Sequence, residues 1–233
     1  MLDDVTVLKS RVTGLRFEQM FVKRFCDILV SGIGLLIASP VMLIEALAIK
    51  LEDGGPVFFK QPRVTKDGKE FNVLKFRTMI VDADKKRKRL ASEGDDRITK
   101  VGNILRKLRI DELPQFINIL KGEMSIVGPR PEQVEITEKY VEVLPEFKYR
   151  LKVKAGLTGL AQILGKYNTT PRDKLILDLM YIEQYSIWLD LKLMLQTAKV
   201  LFKSDSTEGV QGEFPIELLK DTEEFTEREE LNE

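Results

Sequence analysis

The sequence predicts a mostly helical α+β protein, with an N-terminal re-entrant membrane segment, amphipathic interfacial helices and a small β-hairpin. Three observations predict this class. The first is an apolar run, Ile28 to Ile49, that holds one charged residue and a Ser-Pro pair. The second is a pair of short alternating segments joined by a turn, and the third is a series of helical apolar stripes. The predicted segments are a lead-in at 1–22, the membrane segment at 23–51, the main domain at 52–203 and an acidic tail at 204–233.

Composition restricts the chemistry that the chain can perform. Among 233 residues there is one cysteine, Cys26, and no histidine. An intramolecular disulfide, a histidine general base and every Ser-His or Cys-His pair are therefore excluded. The formal net charge is zero, but the tail from Ser204 holds eleven acidic and two basic residues, so the tail carries −9 and the body +9. A basic body favours anionic partners, namely a phospholipid surface, nucleic acid or phosphorylated substrates.

The apolar run is long enough to span a bilayer core of about 30 Å. Pro40, however, removes a backbone hydrogen bond at a cost of roughly 3 kcal/mol, and lipid tolerates the freed carbonyl only if a group such as the Ser39 hydroxyl satisfies it. Basic residues also flank both ends of the run, and a single crossing cannot keep both ends on one side. We therefore expect a helix-break-helix segment that enters and leaves the same leaflet. A kinked spanning helix and a buried core helix remain open alternatives.

The elements after the membrane segment follow from local patterns. The segments "VFFKQPRV" and "KEFNVLKFRTM" alternate apolar and polar residues, and "TKDGK" between them carries the hairpin signal Asp67-Gly68. The run "DKKRKR" belongs to an exposed helix. The next helix, "KVGNILRKLRI", has an apolar stripe formed by Val101, Ile104, Leu105 and Leu108.

The segment "DELPQFINILKG" is predicted to be a helix with Asp111 as N-cap, Pro114 in its first turn and Gly122 at its end. A short strand, "MSIV", follows and leads into a rigid loop, "GPRP". Further helices are predicted at "PEQVEITEKYVEVL", "PRDKLILDLMYIEQYS" and "DLKLMLQTAKVLF", after a glycine-punctuated stretch, "KAGLTGLAQILGKYN".

Asp111 and Glu112 form the candidate site. They stand at a helix start, where the dipole and free N–H groups favour phosphate, and Arg106 precedes them by a few residues. Two carboxylates among arginines suit a divalent cation that meets a diphosphate, because Mg²⁺ uses one or two carboxylates and completes its shell with phosphate oxygens and water. A carboxylate is also a competent nucleophile toward phosphorus. Taken alone, the pair is better explained as a helix-start stabiliser, and Arg130 of "GPRP" as a solvated turn residue.

The chain resembles the bacterial sugar transferase family, the membrane-bound polyprenyl-phosphate phosphoglycosyltransferases. "KRFCDILVSGIGLLIASP", "VFFKQPRV", "FNVLKFRTM", "LRKLRIDELPQFINILKGEMSIVGPRP" and "GLTGLAQILGKYN" resemble the blocks of that family in the same order. The resemblance covers about residues 20–203. Departures at Thr65, Glu123 and Ala155 concern loop geometry and sugar preference, and none touches the Asp-Glu pair.

The resemblance implies transfer of a sugar-1-phosphate from a UDP-sugar to undecaprenyl phosphate, with release of UMP and with Mg²⁺ as cofactor. It implies that Asp111 forms a covalent phosphosugar intermediate and that Glu112 assists it. Asp111 and Glu112 are then also the candidate metal ligands. Arg106 and Arg130 would bind phosphate. Ser39 and Pro40 would make the membrane segment re-entrant, so that the protein is monotopic in the inner membrane. Its catalytic domain at 52–203 would lie on the cytoplasmic face. The surrounding anionic phospholipid would be a partner. The pathway would be exopolysaccharide, capsule or other surface glycan synthesis.

Two other classes of function remain open. A peripheral membrane adaptor without catalysis would use "DKKRKR" to bind anionic lipid, at roughly 1 kcal/mol per basic residue near the surface, although an ordinary solvated helix face explains that run as well. A nucleic-acid binder would draw on the same charge. It lacks a recognisable motif and leaves the membrane segment unexplained, so no nucleic-acid partner is expected. Neither the sugar nor the oligomeric state follows from the sequence.

Overall fold

The computed structural model describes residues 14–81, 83, 95–165 and 169–201, with side chains up to Lys199. The run "DKKRKR", most of the lead-in and the acidic tail lie outside the described residues. Within them the protein is mostly helical and has two small sheets.

Helix α1, Phe17–Asp53, is continuous, which corrects the expected break at the Ser-Pro pair. Its bounds extend the predicted segment at both ends. The Ser39 hydroxyl donates to the Leu36 carbonyl at 2.8 Å, and this is the carbonyl that Pro40 deprives of its usual N–H partner. Because the freed acceptor is satisfied locally, the helical path continues through Pro40, as Ser and Thr hydroxyls allow in apolar helices.

Helix α1 has two different faces. One face is buried against the domain and carries polar residues, including Lys23, Asp27 and Ser31. The other face exposes large apolar side chains, such as Leu36 at 75% and Ile37 at 72% exposure. Among the described helices α1 alone is long and apolar enough to cross a membrane, by length and composition.

The predicted hairpin is confirmed. Strand β1, Phe58–Val64, pairs antiparallel with β2, Glu70–Phe76, with Phe58 opposite Phe76 at one end and Val64 opposite Glu70 at the other. A 3₁₀ turn at Lys66–Gly68 joins them. Asp67 and Gly68 both have positive φ, 59° and 73°, the conformation that Asp-Gly provides at low cost.

Helices α2, Lys100–Leu108, and α3, Gln115–Lys121, flank a 3₁₀ turn at Ile110–Glu112. The Thr99 hydroxyl caps α2, and Gly122 ends α3 as predicted. Asp111 is not the N-cap of α3, because the 3₁₀ turn places Pro114 in that position. The predicted apolar stripe of α2 is only partly buried: Leu105 is 4% exposed, whereas Ile104 and Leu108 are 58% and 62% exposed.

A second sheet, absent from the prediction as a pair, joins β3, Ser125–Val127, in parallel with β4, Gly156–Thr158. Helix α4, Val134–Val143, and a 3₁₀ helix at Pro145–Lys152 connect them. The chains approach so closely that a Cβ on Gly156 would lie 2.1 Å from the Gly128 nitrogen. Glycine is therefore required at that position.

Three further helices complete the domain: α5 at Leu160–Leu164, α6 at Pro171–Glu183 and α7 at Ile187–Leu201. The largest apolar cluster lies between the hairpin, α3, β3 and the last two helices. Its buried members are Phe71, Val73, Ile119, Met124, Ile126, Val127, Val153, Tyr181, Ile182, Tyr185 and Leu193.

Buried polar contacts fasten α1 to this core. The Lys23 ammonium lies 2.6 Å from Asp190 Oδ2 on α7. Asp27 Oδ1 accepts from the Ser125 hydroxyl and from the Ile126 backbone N–H, both at 2.9 Å. These bonds tie α1 to β3 and α7 at once, so the position of α1 along the domain is fixed by buried groups that need each other.

Replacing Asp27 by Ala leaves the Ser125 hydroxyl and the Ile126 N–H buried without their acceptor. We expect a loss of about 1–3 kcal/mol in the free energy of unfolding, the usual cost of an unsatisfied buried donor. Denaturant unfolding of the detergent-solubilised protein measures it. Glu138→Ala on the exposed side of α4 is the matched control. Equal stability of the two variants would contradict this role.

Candidate active site

The Asp111–Glu112 pair lies on the 3₁₀ turn between α2 and α3. Arg109, with φ of 54°, ends α2 in a left-handed conformation, and Pro114 starts α3. The chain therefore changes direction just before the pair. Both carboxylates project from this short turn beside the hairpin and the loop that follows β3.

Two basic side chains, Lys75 and Arg130, form ion pairs with Glu112. Lys75 Nζ on β2 lies 2.6 Å from Glu112 Oε1, and Arg130 Nη2 lies 3.4 Å from the same oxygen. Burial by itself raises the pKa of Glu112, but Arg130 and Lys75 together outweigh it and lower that pKa to about 2. The Glu112 carboxyl therefore remains ionised across the physiological range.

Asp111 has the opposite electrostatic balance. Burial and the neighbouring Glu112 charge raise its pKa, against the smaller opposing influence of Lys75 and Arg106. Adjacent carboxylates with pKa values displaced in opposite directions often have different tasks at one site. Glu112 is fixed by its ion pairs, while Asp111 is the more basic of the two and the better suited to attack an electrophile.

Arg106 is positioned by a neighbour that the sequence pattern did not indicate. Its Nε donates to the Thr78 hydroxyl at 2.8 Å. Burial lowers the pKa of the guanidinium, and the Asp111 charge opposes that effect. One edge of the guanidinium is thus used for positioning, and its remaining N–H groups are donors of the planar kind that matches phosphate oxygens.

The loop that carries Arg130 is held from behind. Arg150, 2% exposed, pairs with Asp178 and donates to the Arg130 carbonyl at 2.9 Å. Arg63 on β1 donates to the Pro131 carbonyl, also at 2.9 Å. The backbone of Arg130 is therefore fixed by two other arginines, neither of which was singled out from the sequence.

Asn118 and Glu123, both in the longest motif, have structural roles. Asn118 on α3 accepts from the Leu74 N–H at 2.9 Å and donates to the Asn72 carbonyl at 2.8 Å, along the outer edge of β2. It also donates to Glu123 at 2.6 Å. The side chain thus fixes α3 against the strand that carries Lys75.

Glu45 on α1 is the residue of this region that the sequence left without a role. It is 3% exposed, and neither carboxylate oxygen has a hydrogen-bond partner among the described residues. The Asp111 carboxylate interacts electrostatically with the Glu45 carboxyl group. Its sequence signal is its position as the single charged residue of the apolar run, because an ionisable group in such a segment is a candidate functional residue.

Of the predicted residues, the structure places Arg106 near Asp111, and Arg130 near both Asp111 and Glu112. Ser39 and Pro40 lie elsewhere, on an exposed part of α1. Sequence reasoning missed Lys75, Thr78, Arg150 and Asn118, since each acts through a contact distant along the chain. Lys75 was detectable in principle, as a basic residue within a strand that resembles a family block.

The carboxylates of Asp111 and Glu112 suit Mg²⁺ as a pair of ligands. No group of three or more acidic, histidine or cysteine side chains gathers within the described part of the chain. Both ion pairs of Glu112 use Oε1. Asp111 and Oε2 of Glu112 would therefore be the two carboxylate ligands for an ion that takes its other ligands from phosphate and water.

Comparison with known proteins identifies the family of this chain. The family model described as bacterial sugar transferase matches residues 18–204. The chain belongs to the bacterial sugar transferase family.

Individual relatives agree. The chain is 42% identical over 184 residues to UDP-N-acetylgalactosamine-undecaprenyl-phosphate N-acetylgalactosaminephosphotransferase of Aeromonas hydrophila, covering 78% of this chain and 44% of the relative. It is 45% and 41% identical to UDP-glucose:undecaprenyl-phosphate glucose-1-phosphate transferases of Klebsiella pneumoniae and Caulobacter vibrioides. These alignments cover 83% and 79% of this chain and 42% and 71% of the relatives. The chain thus spans less than half of two of these three proteins.

Replacing Lys75 by Met removes the shorter of the two ion pairs of Glu112. We expect the pKa of Glu112 to rise from about 2 toward its ordinary value, because burial continues to disfavour the charged form while one opposing cation is lost. NMR titration of the carboxylate in metal-free protein measures the midpoint. Lys60→Met on the neighbouring strand is the control, and an unchanged midpoint in Lys75→Met would remove Lys75 from the site.

Proposed function

We propose that this chain transfers a sugar-1-phosphate from a UDP-sugar to undecaprenyl phosphate and releases UMP. The observation that carries the proposal is the Asp111–Glu112 pair within reach of Lys75, Arg106 and Arg130. Phosphoryl transfer depends on positioning and on neutralising the charge of the phosphate oxygens. The names of the relatives, which specify UDP-sugars and undecaprenyl phosphate, support the substrates.

The first step forms a covalent aspartyl intermediate. An Asp111 carboxylate oxygen attacks the sugar-bearing phosphorus, and the bond from that phosphorus to the bridging oxygen breaks with its electron pair leaving on UMP. In the second step a phosphate oxygen of undecaprenyl phosphate attacks the same phosphorus, and Asp111 leaves as a carboxylate. The sugar–oxygen bond is untouched, so the product is the undecaprenyl diphosphate sugar.

Each neighbour has a defined task. Arg106 and Arg130 bind the non-bridging oxygens of the diphosphate, and Lys75 keeps Glu112 ionised and oriented beside Asp111. Mg²⁺ held by Asp111 and Glu112 would neutralise phosphate charge and orient the donor. The absence of histidine leaves this work to carboxylates, arginines and lysine.

We propose that both ends of α1 lie on the cytoplasmic side of the inner membrane. Residues on both sides of Pro40 contact the same folded domain. Before it, Arg24 donates to the carbonyls of Ile119 and Leu120; after it, Ile49 packs with Phe76 and Leu105. A single domain on one side of the bilayer can contact both parts only if α1 does not cross the bilayer core between them. Exposed apolar residues of α2 and α7, such as Leu108 and Trp188, would rest in the interface.

The reaction serves as the first membrane step of exopolysaccharide, capsule or other surface glycan synthesis. The galactosyl transferase CpsE of Streptococcus agalactiae, 44% identical to this chain, together with the glucose and N-acetylgalactosamine enzymes, indicates that related sites accept different sugars. UMP release with undecaprenyl phosphate, Mg²⁺ and a panel of UDP-sugars tests the reaction and identifies the donor. A peripheral adaptor would release UMP with none of them.

Replacing Asp111 by Asn keeps the side-chain shape but removes the charge and nearly all of the nucleophilicity. We expect UMP release to fall by roughly 10³-fold or more, with no covalent adduct when the protein is incubated with the radiolabelled UDP-sugar that the panel selects. Glu112→Gln should reduce turnover and retain a trace of adduct. An adduct of full intensity on Asp111→Asn would show that another residue is the nucleophile.

Cysteine labelling tests the topology. With Cys26 replaced by Ser, single cysteines at exposed Glu18→Cys and Lys60→Cys report the two sides of α1. Both should be protected from an impermeant thiol reagent in intact cells, because both ends face the cytoplasm, and both should react after permeabilisation. Labelling of one site alone in intact cells would establish a spanning helix.

A further inference from the structure

A cavity of about 230 Å³ opens beside the N-terminal part of α1. Its polar lining includes Arg24, Lys66, Lys152 and Lys154, and Leu15, Met20 and Val153 add apolar walls. Arg24 also binds the last carbonyls of α3 at 2.6 and 2.7 Å. The cavity therefore lies at the end of α3 that is opposite to the carboxylate pair.

The positive charge in this cavity is only partly neutralised by the described part of the protein. The ammonium of Lys23, at its edge, is paired with Asp190, and the one lining carboxylate, Asp27, accepts from Ser125 and Ile126. Among the described residues, Lys66, Lys152 and Lys154 have no carboxylate within ion-pair distance. Lys66 Nζ instead lies 3.8 Å from the Met20 sulfur.

Burial and the neighbouring cations both act on the pKa of Lys154. Burial lowers its pKa, Arg24 lowers it further, and Lys66 and Lys23 act in the same direction against the opposing charge of Asp27. A bound anion would reverse the repulsion and provide each ammonium with an acceptor. A partly buried cluster of this kind is therefore stabilised by an anionic ligand.

The apolar surroundings indicate where the ligand comes from. Phe17, Phe21 and Phe25 succeed one another at one-turn intervals along α1 and are 80%, 70% and 63% exposed. Aromatic and basic side chains together are typical of the level at which acyl chains meet headgroups. Met20 and Arg24 of the cavity wall each immediately precede a residue of this stripe, so a phosphate at that level can enter the cavity while its acyl chains remain in the membrane.

We propose that the cavity is a lipid-phosphate site that holds the headgroup phosphodiester of an anionic phospholipid, with Lys66, Lys152 and Lys154 as its donors. This role goes beyond the transfer reaction. It ties the N-terminal end of α1 to the headgroup layer, while the apolar face of α1 lies deeper.

The polyprenyl phosphate acceptor has the same chemistry but does not suit this cavity. Nine residues, largely helical, separate Asp111 from Leu120, which is about 13 Å at 1.5 Å per residue. Transfer requires reacting atoms within roughly 3–3.5 Å. A phosphate bound by Lys66 and Lys154 therefore cannot react at Asp111, which favours a structural phospholipid.

The test uses the full chain in neutral detergent micelles, titrated with fluorescent phosphatidylglycerol and, separately, fluorescent phosphatidylcholine. The wild type should bind phosphatidylglycerol at least tenfold more tightly, and Lys66→Gln/Lys154→Gln should lose that preference. The matched control Lys139→Gln/Lys148→Gln removes the same charge from exposed positions on α4 and the following 3₁₀ helix and should retain it. A preference equal in both double variants would overturn the proposal.

Further measurements separate the possible sources of phosphate and guard against misfolding. Lys152→Gln alone should weaken phosphatidylglycerol binding several-fold with an unchanged thermal midpoint, and unchanged binding would count against the site. Displacement of the probe by undecaprenyl phosphate at concentrations where unlabelled phosphatidylglycerol fails would assign the cavity to the acceptor instead. Displacement by inorganic phosphate as effectively as by phosphatidylglycerol would make it a site for free anions. UMP release in detergent should be unaltered in Lys66→Gln/Lys154→Gln, so the reaction and the lipid site succeed or fail independently.

Discussion

The buried polar stripe of α1 is the constraint on which the rest of the structure depends. A helix that is apolar all round has no preferred rotation in lipid, but Lys23 and Asp27 are acceptable only where Asp190 and the start of β3 complete their bonds. An unpaired buried charge costs several kcal/mol, so α1 can neither rotate nor slide without losing these partners. One face is thereby committed to the domain, and the apolar face remains exposed.

The same packing builds the cation set of the site. Later turns of α1 bury Ile49 against Phe76 of β2 and Leu105 of α2. Lys75 and Arg106 are the sequence neighbours of those two residues, so the contacts that fix Phe76 and Leu105 also fix the backbone from which the two cations project. Helix α1 and the basic residues of the site therefore depend on one apolar cluster. Perturbation of that cluster would alter the geometry of the site without touching a reacting group.

Local signals explain what the sequence could predict. Asp67-Gly68 specifies its turn by backbone preference, and the carboxylate pair with its two arginines followed from a long contiguous motif. The sequence could not predict features that depend on distant partners. The continuity of α1 depends on where the Ser39 hydroxyl points, and the β3–β4 pair joins segments separated by α4 and a 3₁₀ helix. The alternating pattern of its strand predicts only that Lys75 faces solvent. The role of Arg150 depends on its contacts with Asp178 and with the Arg130 carbonyl.

Asn118 occupies the outer edge of β2, where its amide makes the two hydrogen bonds that a neighbouring strand would make. An open strand edge can recruit the edge of another molecule, and that hazard grows for proteins confined to a surface, where diffusion in two dimensions brings like edges into alignment. By closing the edge with a side chain from its own helix, the protein leaves the Leu74 N–H and the Asn72 carbonyl unavailable for such pairing. An alanine at this position would expose that edge as well as loosen α3.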